Sequence, residues 1–229
     1  MRARRDAALR LLKTMLVASI VIPLALFSYA SWINYRDTIA HADEQLTASL
    51  NILSEHASKV LQSVDLATTS VDAIVGDLSD AQIEARQEAL HSQLSKLEKA
   101  LATVDAIFIA DRNGRALASS AIFPLPPDTS VADRDYFQAQ ADRNAGTYVG
   151  AVLQSRATKE RFFGVSRRRP ADDGQFTGII MISVMPKVFT EFYKQLAGDT
   201  SASFSLARRD GAILARYPAP PGDVTHYGP

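Results

Sequence analysis

The sequence of 229 residues predicts an α+β protein, because its apolar residues have a helical spacing in the first half and a strand-like spacing in the second. An apolar repeat of seven residues runs from Ile39 to Leu78, which is typical of a long helix. After residue 103, short apolar runs are separated by turn residues, which predicts an antiparallel sheet with flanking helices. We therefore expect a helical region followed by a region that contains a sheet.

The composition is that of an ordinary folded protein. Hydrophobic residues make up 47% of the chain, charged residues make up 22%, and the formal net charge is zero. A neutral chain is not expected to bind nucleic acid as its main partner. Cysteine is absent, so no disulfide can form and the core has to supply the stability.

The N-terminal residues predict a membrane anchor. Residues 1–13 carry five basic side chains and one acid, and residues 14–33 follow without any charge. As a helix these twenty residues would be about 30 Å long, the thickness of the hydrocarbon core of a bilayer. The basic flank predicts that 1–13 is a cytoplasmic stub and that the bulk of the chain is exported. The alternative is a cleaved secretory signal, since Ser28–Ala30 resembles a cleavage site.

Residues 34–103 are predicted to form a long helical stalk. A strict period of seven favours a coiled coil between two copies, and the alternative is that the stripe packs against its own globular domain. We expect both, with homodimer contacts nearer the membrane. Ser79–Gln82 looks like a capping box that begins a second helix. The two rows of the repeat hold Ile39, Leu46, Leu53, Val60, Ala67 and Ile74, and Leu50, Ala57, Val64, Val71 and Leu78.

Residues 104–198 are predicted to form a module built on a sheet. Asn113-Gly114 between two apolar runs is a strong hairpin signal, because both residues can adopt positive φ. A short helix is expected to begin at the block Asp133–Phe137, and a last helix follows the final strand. The predicted strands cover 104–110, 115–120, 147–153, 161–168 and 176–185.

The hairpin pattern occurs twice in the sequence. Residues 109–118 align with residues 206–215, each with a strand, an arginine-containing turn that ends in glycine, and a second strand. The repeat predicts a second copy of the module over 199–229, of which the first hairpin is present. We therefore expect the sequence to end within a domain.

The sequence contains no catalytic or metal-binding grouping. Its four histidines are widely separated, cysteine is absent, and no phosphate-binding glycine motif occurs. We therefore expect that this chain is not itself an enzyme and that it holds no cofactor or metal.

The block Asp133–Phe137, with the sequence DRDYF, predicts a pocket for a small anion. The planar guanidinium of Arg134 can bind a carboxylate through two hydrogen bonds, and the adjacent rings of Tyr136 and Phe137 can exclude water. The alternative is that Arg134 pairs in water with Asp133, Asp135 or Asp142 while the two rings fill the core.

Three further candidates for the same pocket are on the next two strands. Tyr148 lies on the first of them, and Arg161 and Phe163 lie on the second. Because residues two apart in a strand point the same way, Arg161 and Phe163 are expected on one face.

The order of these elements resembles that of the periplasmic double Cache (PAS-like) sensor modules of bacterial receptors. The resemblance covers nearly all of residues 34–229 and lacks the remainder of the second module. The resemblance rests on four sequence segments, DRDYF at 133–137, YVG at 148–150, GIIMISV at 178–184 and RDGAILAR at 209–216. They are most similar to the sensors of HWE-type histidine kinases and of some diguanylate cyclases.

The resemblance implies a sensor input domain held in the bacterial inner membrane by its N-terminal helix, with residues 104–198 as the membrane-distal ligand module. It implies that Arg134 binds the carboxylate of a small organic acid beside Tyr136 and Phe137. Amino-acid-binding members have an aspartate where this chain has Ser183, so the resemblance favours a plain carboxylate, with Arg161 as a second anchor.

The resemblance also implies that the intact parent protein is a histidine kinase in a two-component system. The alternatives are the sensor region of a diguanylate cyclase or a chemoreceptor, or a coiled-coil adaptor that binds no ligand.

Overall fold

A computed structural model describes residues 2–156, 158–170, 175–198, 201–220 and 225–227, with no side chains described for 2–12, 14, 17, 18 and 42. The chain divides into two compact units, Met1–Leu53 and Ser54–Pro229. The mixture of helices and an antiparallel sheet confirms the α+β prediction. The first unit consists of helix, and all of the sheet belongs to the second.

The helices follow the apolar pattern of the sequence. Helix α1 covers Arg2–Val75, α2 covers Asp80–Ala85 and α3 covers Gln87–Ala100. The capping box at the start of α2 is confirmed, because the Ser79 hydroxyl accepts from the Gln82 N–H and the Gln82 side chain accepts from the Ser79 N–H. The helix predicted to follow it is interrupted at Arg86, which separates α2 from α3.

The predicted membrane anchor over residues 14–33 is not supported by the structure. Among the described residues, no helix is both long and apolar enough to cross a membrane. Thr14, Val17 and Ala18 of the predicted span have side chains that lie outside the described residues.

The apolar stripe of α1 is buried in its C-terminal part. Val60, Val64, Ala67 and Val71 are all buried within the second unit. This part of the repeat therefore packs into its own globular domain, as one of the two alternatives expected. Leu46 and Leu50, in the first unit, are exposed.

The sheet has five antiparallel strands in the order β2-β1-β5-β4-β3. Helix α4 lies in the chain between β2 and β3, and α5 follows β5. Strand β5, the last of these five in the chain, lies between β1 and β4 at the centre of the sheet. The bounds are β1 Ala106–Asp111, β2 Ala116–Ser119, α4 Asp135–Asp142, β3 Tyr148–Gln154, β4 Arg161–Arg168, β5 Gly178–Val184 and α5 Lys187–Ala197.

The two faces of the sheet contact different helices. On one face, Phe163 packs against Phe189 of α5, with 6.1 Å between the ring centroids, and Arg167 forms an ion pair with Asp65 of α1. The opposite face carries a separate apolar cluster that includes Tyr136 of α4. The other buried members of this cluster are Ala110, Val131, Phe137, Phe162, Ile179 and Met181.

Helix α4 is held on the second face by buried hydrogen bonds to β4. The side-chain amide of Gln140 donates to the Ser166 carbonyl at 3.0 Å and to the Gly146 carbonyl at 2.8 Å. The Ser166 hydroxyl donates to the Tyr136 carbonyl at 2.7 Å. These bonds fix α4, and with it the DRDYF block at its start, against the sheet.

A second hairpin follows α5 and repeats the first. Strands β6, Phe204–Ala207, and β7, Ile213–Tyr217, form a separate two-stranded sheet. Both turns end at a glycine with positive φ, +81° at Gly114 and +92° at Gly211. In matching positions the Asp111 N–H donates to the Arg115 carbonyl at 2.9 Å and the Arg208 N–H donates to the Ala212 carbonyl at 2.8 Å.

The repeat of the hairpin predicted from residues 109–118 and 206–215 is thus present in the backbone. Its extension to a second module over 199–229 stays a prediction. Residues 199, 200, 221–224, 228 and 229 of that range lie outside the described residues.

Candidate functional site

A cavity of about 280 Å³ lies on the α4 face of the sheet. Its walls come from the start of α4, from strands β1, β4 and β5, and from the loops beside them. Phe108, Phe162 and Met181 supply apolar surface, and the charged groups of the lining are Asp105, Arg134 and Arg156. Its lining includes Asp105, Phe108, Ser130, Arg134, Tyr136, Arg156, Phe162, Met181 and Ser183. A small cavity with apolar walls and a few charged groups is the usual form of a site for a small molecule.

Arg134 brings a positive charge without a protein partner to this cavity. The residue occupies the N-cap position of α4 with extended backbone angles, φ −85° and ψ 141°, and is half-buried. Within the described part of the chain, its guanidinium has no hydrogen-bond acceptor and no carboxylate in ion-pair range. A half-buried guanidinium without an acceptor is incompletely compensated, so it favours an anion from outside the protein.

The two aspartates beside Arg134 are both bound elsewhere. Asp133 accepts from Arg156 Nη2 at 2.5 Å. Asp135 accepts from the Ala151 N–H at 2.6 Å and from its neighbour Tyr136 N–H at 2.8 Å, and Arg208 Nη1 lies 3.4 Å from it. The alternative in which Arg134 is neutralised by a neighbouring aspartate is therefore not what the structure shows.

Tyr136 forms part of the cavity wall and is fixed by a close contact with β4. Its ring lies over Gly164, where a Cβ atom would come within 2.7 Å of Tyr136 Cδ1. Burial raises the pKa of the Tyr136 phenol, against a smaller opposing effect of the Arg134 charge. The phenol therefore stays protonated at neutral pH and can donate a hydrogen bond.

The family model for the Cache domain matches residues 34–224. The chain belongs to the Cache domain family. No protein of curated function matches it closely enough in sequence to count as a relative.

Solved structures that are similar to this chain in fold include sensor domains. The extracellular domain of rpHK1S-Z16, described as a histidine kinase, is 25% identical with a TM-score of 0.62, and the match covers 72% of this chain and 66% of that one. The ligand-binding domain of the Campylobacter jejuni chemoreceptor Tlp3 in complex with L-valine is 13% identical with a TM-score of 0.57, covering 74% and 68%. The sensor domain of the V. cholerae histidine kinase DctB is 17% identical with a TM-score of 0.51, covering 74% and 64%.

These matches identify the chain as a Cache sensor domain. It spans just under two thirds of the rpHK1S-Z16 and DctB chains, 66% and 64%. At 13% and 17% identity, the likeness to Tlp3 and DctB concerns the fold.

In this Cache domain three of the predicted ligand residues line the cavity. They are Arg134, Tyr136 and Ser183. Phe137 belongs to the apolar cluster beneath the cavity, where its ring meets the edge of Phe176 at 5.8 Å between centroids, and it is not part of the lining.

Tyr148 is placed away from the cavity. Its ring lies under the guanidinium of Arg208, 5.4 Å from the ring centroid, in the contact between β3 and the second hairpin. The expectation that Tyr148 faces Arg134 is therefore corrected. Its partner comes from a turn that is distant in sequence.

Arg161 and Phe163 do share a face, but it is the face opposite the cavity. Phe163 is fully buried against α5, and Arg161 lines a different cavity of about 390 Å³ together with Pro186 and Arg216. Their expected position beside Arg134 is wrong because adjacent residues of a strand point to opposite sides, and Phe162 occupies the cavity side.

The ligand residues predicted from the sequence do not include five members of the lining, Phe108, Phe162, Met181, Asp105 and Arg156. The first three alternate with residues of the other face, so the pairing of Phe108 with Met181 would have revealed them once the strand order was known. Among the described residues, no group of histidines and acids could hold a metal ion.

Proposed function

We propose that this Cache domain is the extracytoplasmic ligand-sensing region of a signal-transduction receptor, and that its cavity binds a small organic acid through Arg134. The observation that carries the proposal is the half-buried guanidinium of Arg134, which lines the cavity while both neighbouring aspartates bind other arginines. Such an arrangement leaves the charge available to a ligand.

The strength of the proposed contact is sufficient for a receptor. A hydrogen bond to a charged group contributes about 1.5–3 kcal/mol. Two bonds from Arg134 and one from the Tyr136 hydroxyl, with burial of the apolar part of the ligand, would support a dissociation constant of about 1 μM. The cavity of about 280 Å³ has room for a small metabolite.

The likeness to the extracellular domain of rpHK1S-Z16 supports a histidine kinase as the parent protein. Within the histidine kinases we propose the HWE type, on the resemblance of the four segments DRDYF, YVG, GIIMISV and RDGAILAR taken together. The likeness in fold to Tlp3 supports a chemoreceptor as the second candidate. In either protein the chain described here would be the input region, and catalysis or signalling output would reside in another part of the parent.

A double arrangement of modules and a homodimer are further parts of the proposal. The repeated hairpin supports a second Cache module. The exposed apolar side chains of Ile39, Leu46 and Leu50 support a dimer through the N-terminal part of α1. Both stay predictions.

The binding of an organic acid can be tested by thermal shift with the full chain and a panel of mono- and dicarboxylic acids, including amino acids. We expect at least one acid to raise the melting temperature. Arg134→Ala should weaken its binding about 100-fold, because two charge-assisted hydrogen bonds are lost. Without ligand, the variant should melt close to the wild type, because the guanidinium of Arg134 has no partner among the described residues.

Arg143→Ala is the matched control, because it removes the same charge from the exposed C-terminal end of α4. It should bind like the wild type. If no acid stabilises the chain, or if Arg134→Ala responds as strongly as the wild type, the anion-sensor proposal fails and the non-binding adaptor is favoured.

A further inference from the structure

The carboxylate that follows Arg134 opposes the binding of an anion in the cavity. Asp135 is the first residue of α4, and its charge acts on the cavity wall. Burial is the largest cause of the raised pKa of the Tyr136 phenol, and the Asp135 charge raises this pKa further while the Arg134 charge lowers it. An uncompensated Asp135 would therefore repel an anion that is bound to Arg134.

Asp135 is held in a fixed position against the edge strand β3. Its carboxylate accepts from the Ala151 N–H at 2.6 Å and from the Tyr136 N–H at 2.8 Å. Gly150 permits this approach, because a Cβ atom at that position would lie 2.9 Å from Asp135 Oδ1. These bonds keep the carboxylate next to the cavity, so its charge has to be compensated at that position.

A side chain of the second hairpin provides the compensation. Arg208 Nη1 donates to Asp135 Oδ2 at 3.4 Å and to the Val149 carbonyl at 3.1 Å, and therefore joins the start of α4 to β3. Of the residues that the structure describes, Arg208 is the only cation in ion-pair range of Asp135. The two side chains are 20% and 32% exposed, so their interaction is screened less than that of a fully exposed pair.

Arg208 itself does not contact the cavity. It is not part of the lining, and its guanidinium lies over the ring of Tyr148, 5.4 Å from the ring centroid. Its Nε and Nη2 atoms bind Asp210 of the same turn. Any influence of Arg208 on a ligand in the cavity therefore has to act through Asp135.

We propose that Arg208 is a positioning residue for the anion cavity, because it compensates Asp135 and so raises the affinity of Arg134 for an anion. This inference rests on the proposed function of the cavity. It also makes anion binding and the docking of the second hairpin mutually dependent, because two coupled equilibria change each other by the same factor. An anion in the cavity should therefore tighten the attachment of β6–β7 to β3.

Two substitutions that break the same contact separate this role from a purely structural one. Arg208→Ala leaves the charge of Asp135 uncompensated, whereas Asp135→Asn removes that charge. With butanoate as the probe and the full chain in isothermal titration calorimetry, we expect Arg208→Ala to bind about 3- to 10-fold more weakly than the wild type. Asp135→Asn should bind butanoate as tightly as the wild type or more tightly. Loss of hairpin docking alone would weaken binding in both variants.

The charge of the probe gives a second readout. Succinate has the carbon number of butanoate and one more negative charge, so Arg208→Ala should weaken its binding by a larger factor. Arg208→Lys keeps the positive charge and should bind both acids within about threefold of the wild type, which tests the charge of Arg208 even if Asp135→Asn does not fold. Arg209→Ala is the matched control, because it removes the same charge from an exposed residue of the same turn, and it should bind like the wild type.

Hydrogen exchange tests the reciprocal effect. Saturation with succinate should slow amide exchange in 204–217 of the wild type, because the bound anion strengthens the attraction of Arg208 to this end of α4. In Arg208→Ala the same addition should leave exchange in 204–217 unchanged.

The outcomes separate the two proposals. If Arg134→Ala abolishes succinate binding while Arg208→Ala binds both acids like the wild type, the Arg208 inference is overturned and the anion sensor stands. If Arg208→Ala and Asp135→Asn weaken binding equally, or if Arg208→Lys binds as weakly as Arg208→Ala, the role of Arg208 is structural and the inference is also overturned. If neither acid binds to the wild type, both proposals are overturned.

Discussion

The two hairpins of the Cache domain have the same backbone and use their turns differently. At the first turn position, β1–β2 has Asp111 and β6–β7 has Arg208. The Asp111 carboxylate accepts from two N–H groups of its own turn, at 2.8 and 2.9 Å. Arg208 reaches out of its turn to Asp135 and lies over the ring of Tyr148. The glycine and the backbone hydrogen bonds therefore define this turn, and the side chain at its first position can make different contacts in each copy.

The hairpins also differ in what surrounds them. Strand β1 lies between β2 and β5 in a five-stranded sheet and is largely buried, whereas β6 has β7 as its strand partner and alternates between half-buried and exposed residues. Because tertiary burial supplies most of the stability of a hairpin, we expect the same local damage to have different global consequences in the two copies.

The largest difference should come from the turn glycines. A Cβ atom at Gly114 would lie 2.7 Å from the Ala132 backbone, and one at Gly211 would lie 2.6 Å from the Tyr227 carbonyl oxygen. Left-handed strain and the clash together should cost about 2–4 kcal/mol at either site. We expect Gly114→Ala to lower the free energy of unfolding of the sheet by this amount. Gly211→Ala should mainly increase hydrogen exchange in 204–217.

Urea denaturation and hydrogen exchange of the two variants check this expectation. Gly146→Ala is the control for backbone strain alone, because Gly146 has φ +62° with no atom within 4 Å of its Cβ position. It should cost about 1–2 kcal/mol. If Gly114→Ala and Gly211→Ala cause equal loss of amide protection throughout the five-stranded sheet, the expected difference between the two hairpins is wrong.

A smaller effect is expected from Arg208, the side chain that distinguishes the second turn. Arg208→Ala removes the ion pairs with Asp135 and Asp210 and the contact with the Tyr148 ring. It should destabilise the protein by about 1 kcal/mol, since the ion pairs are partly solvated. Thermal denaturation should show no such loss for Arg209→Ala, which changes the exposed next residue of the same turn. A similar loss in both variants would assign the effect to the change in net charge rather than to the contacts of Arg208.

The smallest effect concerns the pH dependence of the second turn. A hydrogen bond from Arg208, with a further one from the Ala212 N–H, holds the pKa of Asp210 below its ordinary value. Because the pKa is lowered in the folded state, the stabilisation is present above the ordinary pKa near 4 and is lost as the pH falls through the lowered value. We expect Asp210→Asn to reduce the loss of the free energy of unfolding at acid pH, measured by urea denaturation between pH 3 and pH 7.

Arg208→Ala provides the background that isolates this effect. When the arginine is absent, Asp210→Asn should hardly change the loss of the free energy of unfolding at acid pH. If Asp210→Asn leaves this loss unchanged while Arg208 is present, the Arg208–Asp210 contact is not its cause.

Much of the fold could be predicted from local sequence, because its signals are local. Asn113-Gly114 predicts its hairpin, Ser79–Gln82 predicts a helix start, and the apolar period predicts the long helix. The correct face of β4 could not be predicted in the same way. Phe162 and Phe163 are both buried, so the strand lacks the alternation that distinguishes the two sides of a sheet.

The charge balance of the cavity was less predictable than its position. Arg134 belongs to the DRDYF block, which can be recognised in the sequence. Its charge is available to a ligand because Asp133 and Asp135 pair with arginines from distant positions in the chain, Arg156 and Arg208. Asp105 approaches Ser183 across 78 residues of sequence. Such pairings follow from strand order and register, which spacing along the chain does not define.

The contact between Tyr136 and Gly164 implies that these two positions cannot change independently during evolution. While the aromatic ring is present, any side chain at 164 would collide with it. A smaller residue at 136 would remove this restriction and leave space that a larger residue at 164 could fill. Related proteins should therefore show paired substitutions at the two positions, 28 residues apart, and this covariation would reflect packing in the cavity wall rather than shared contact with a ligand.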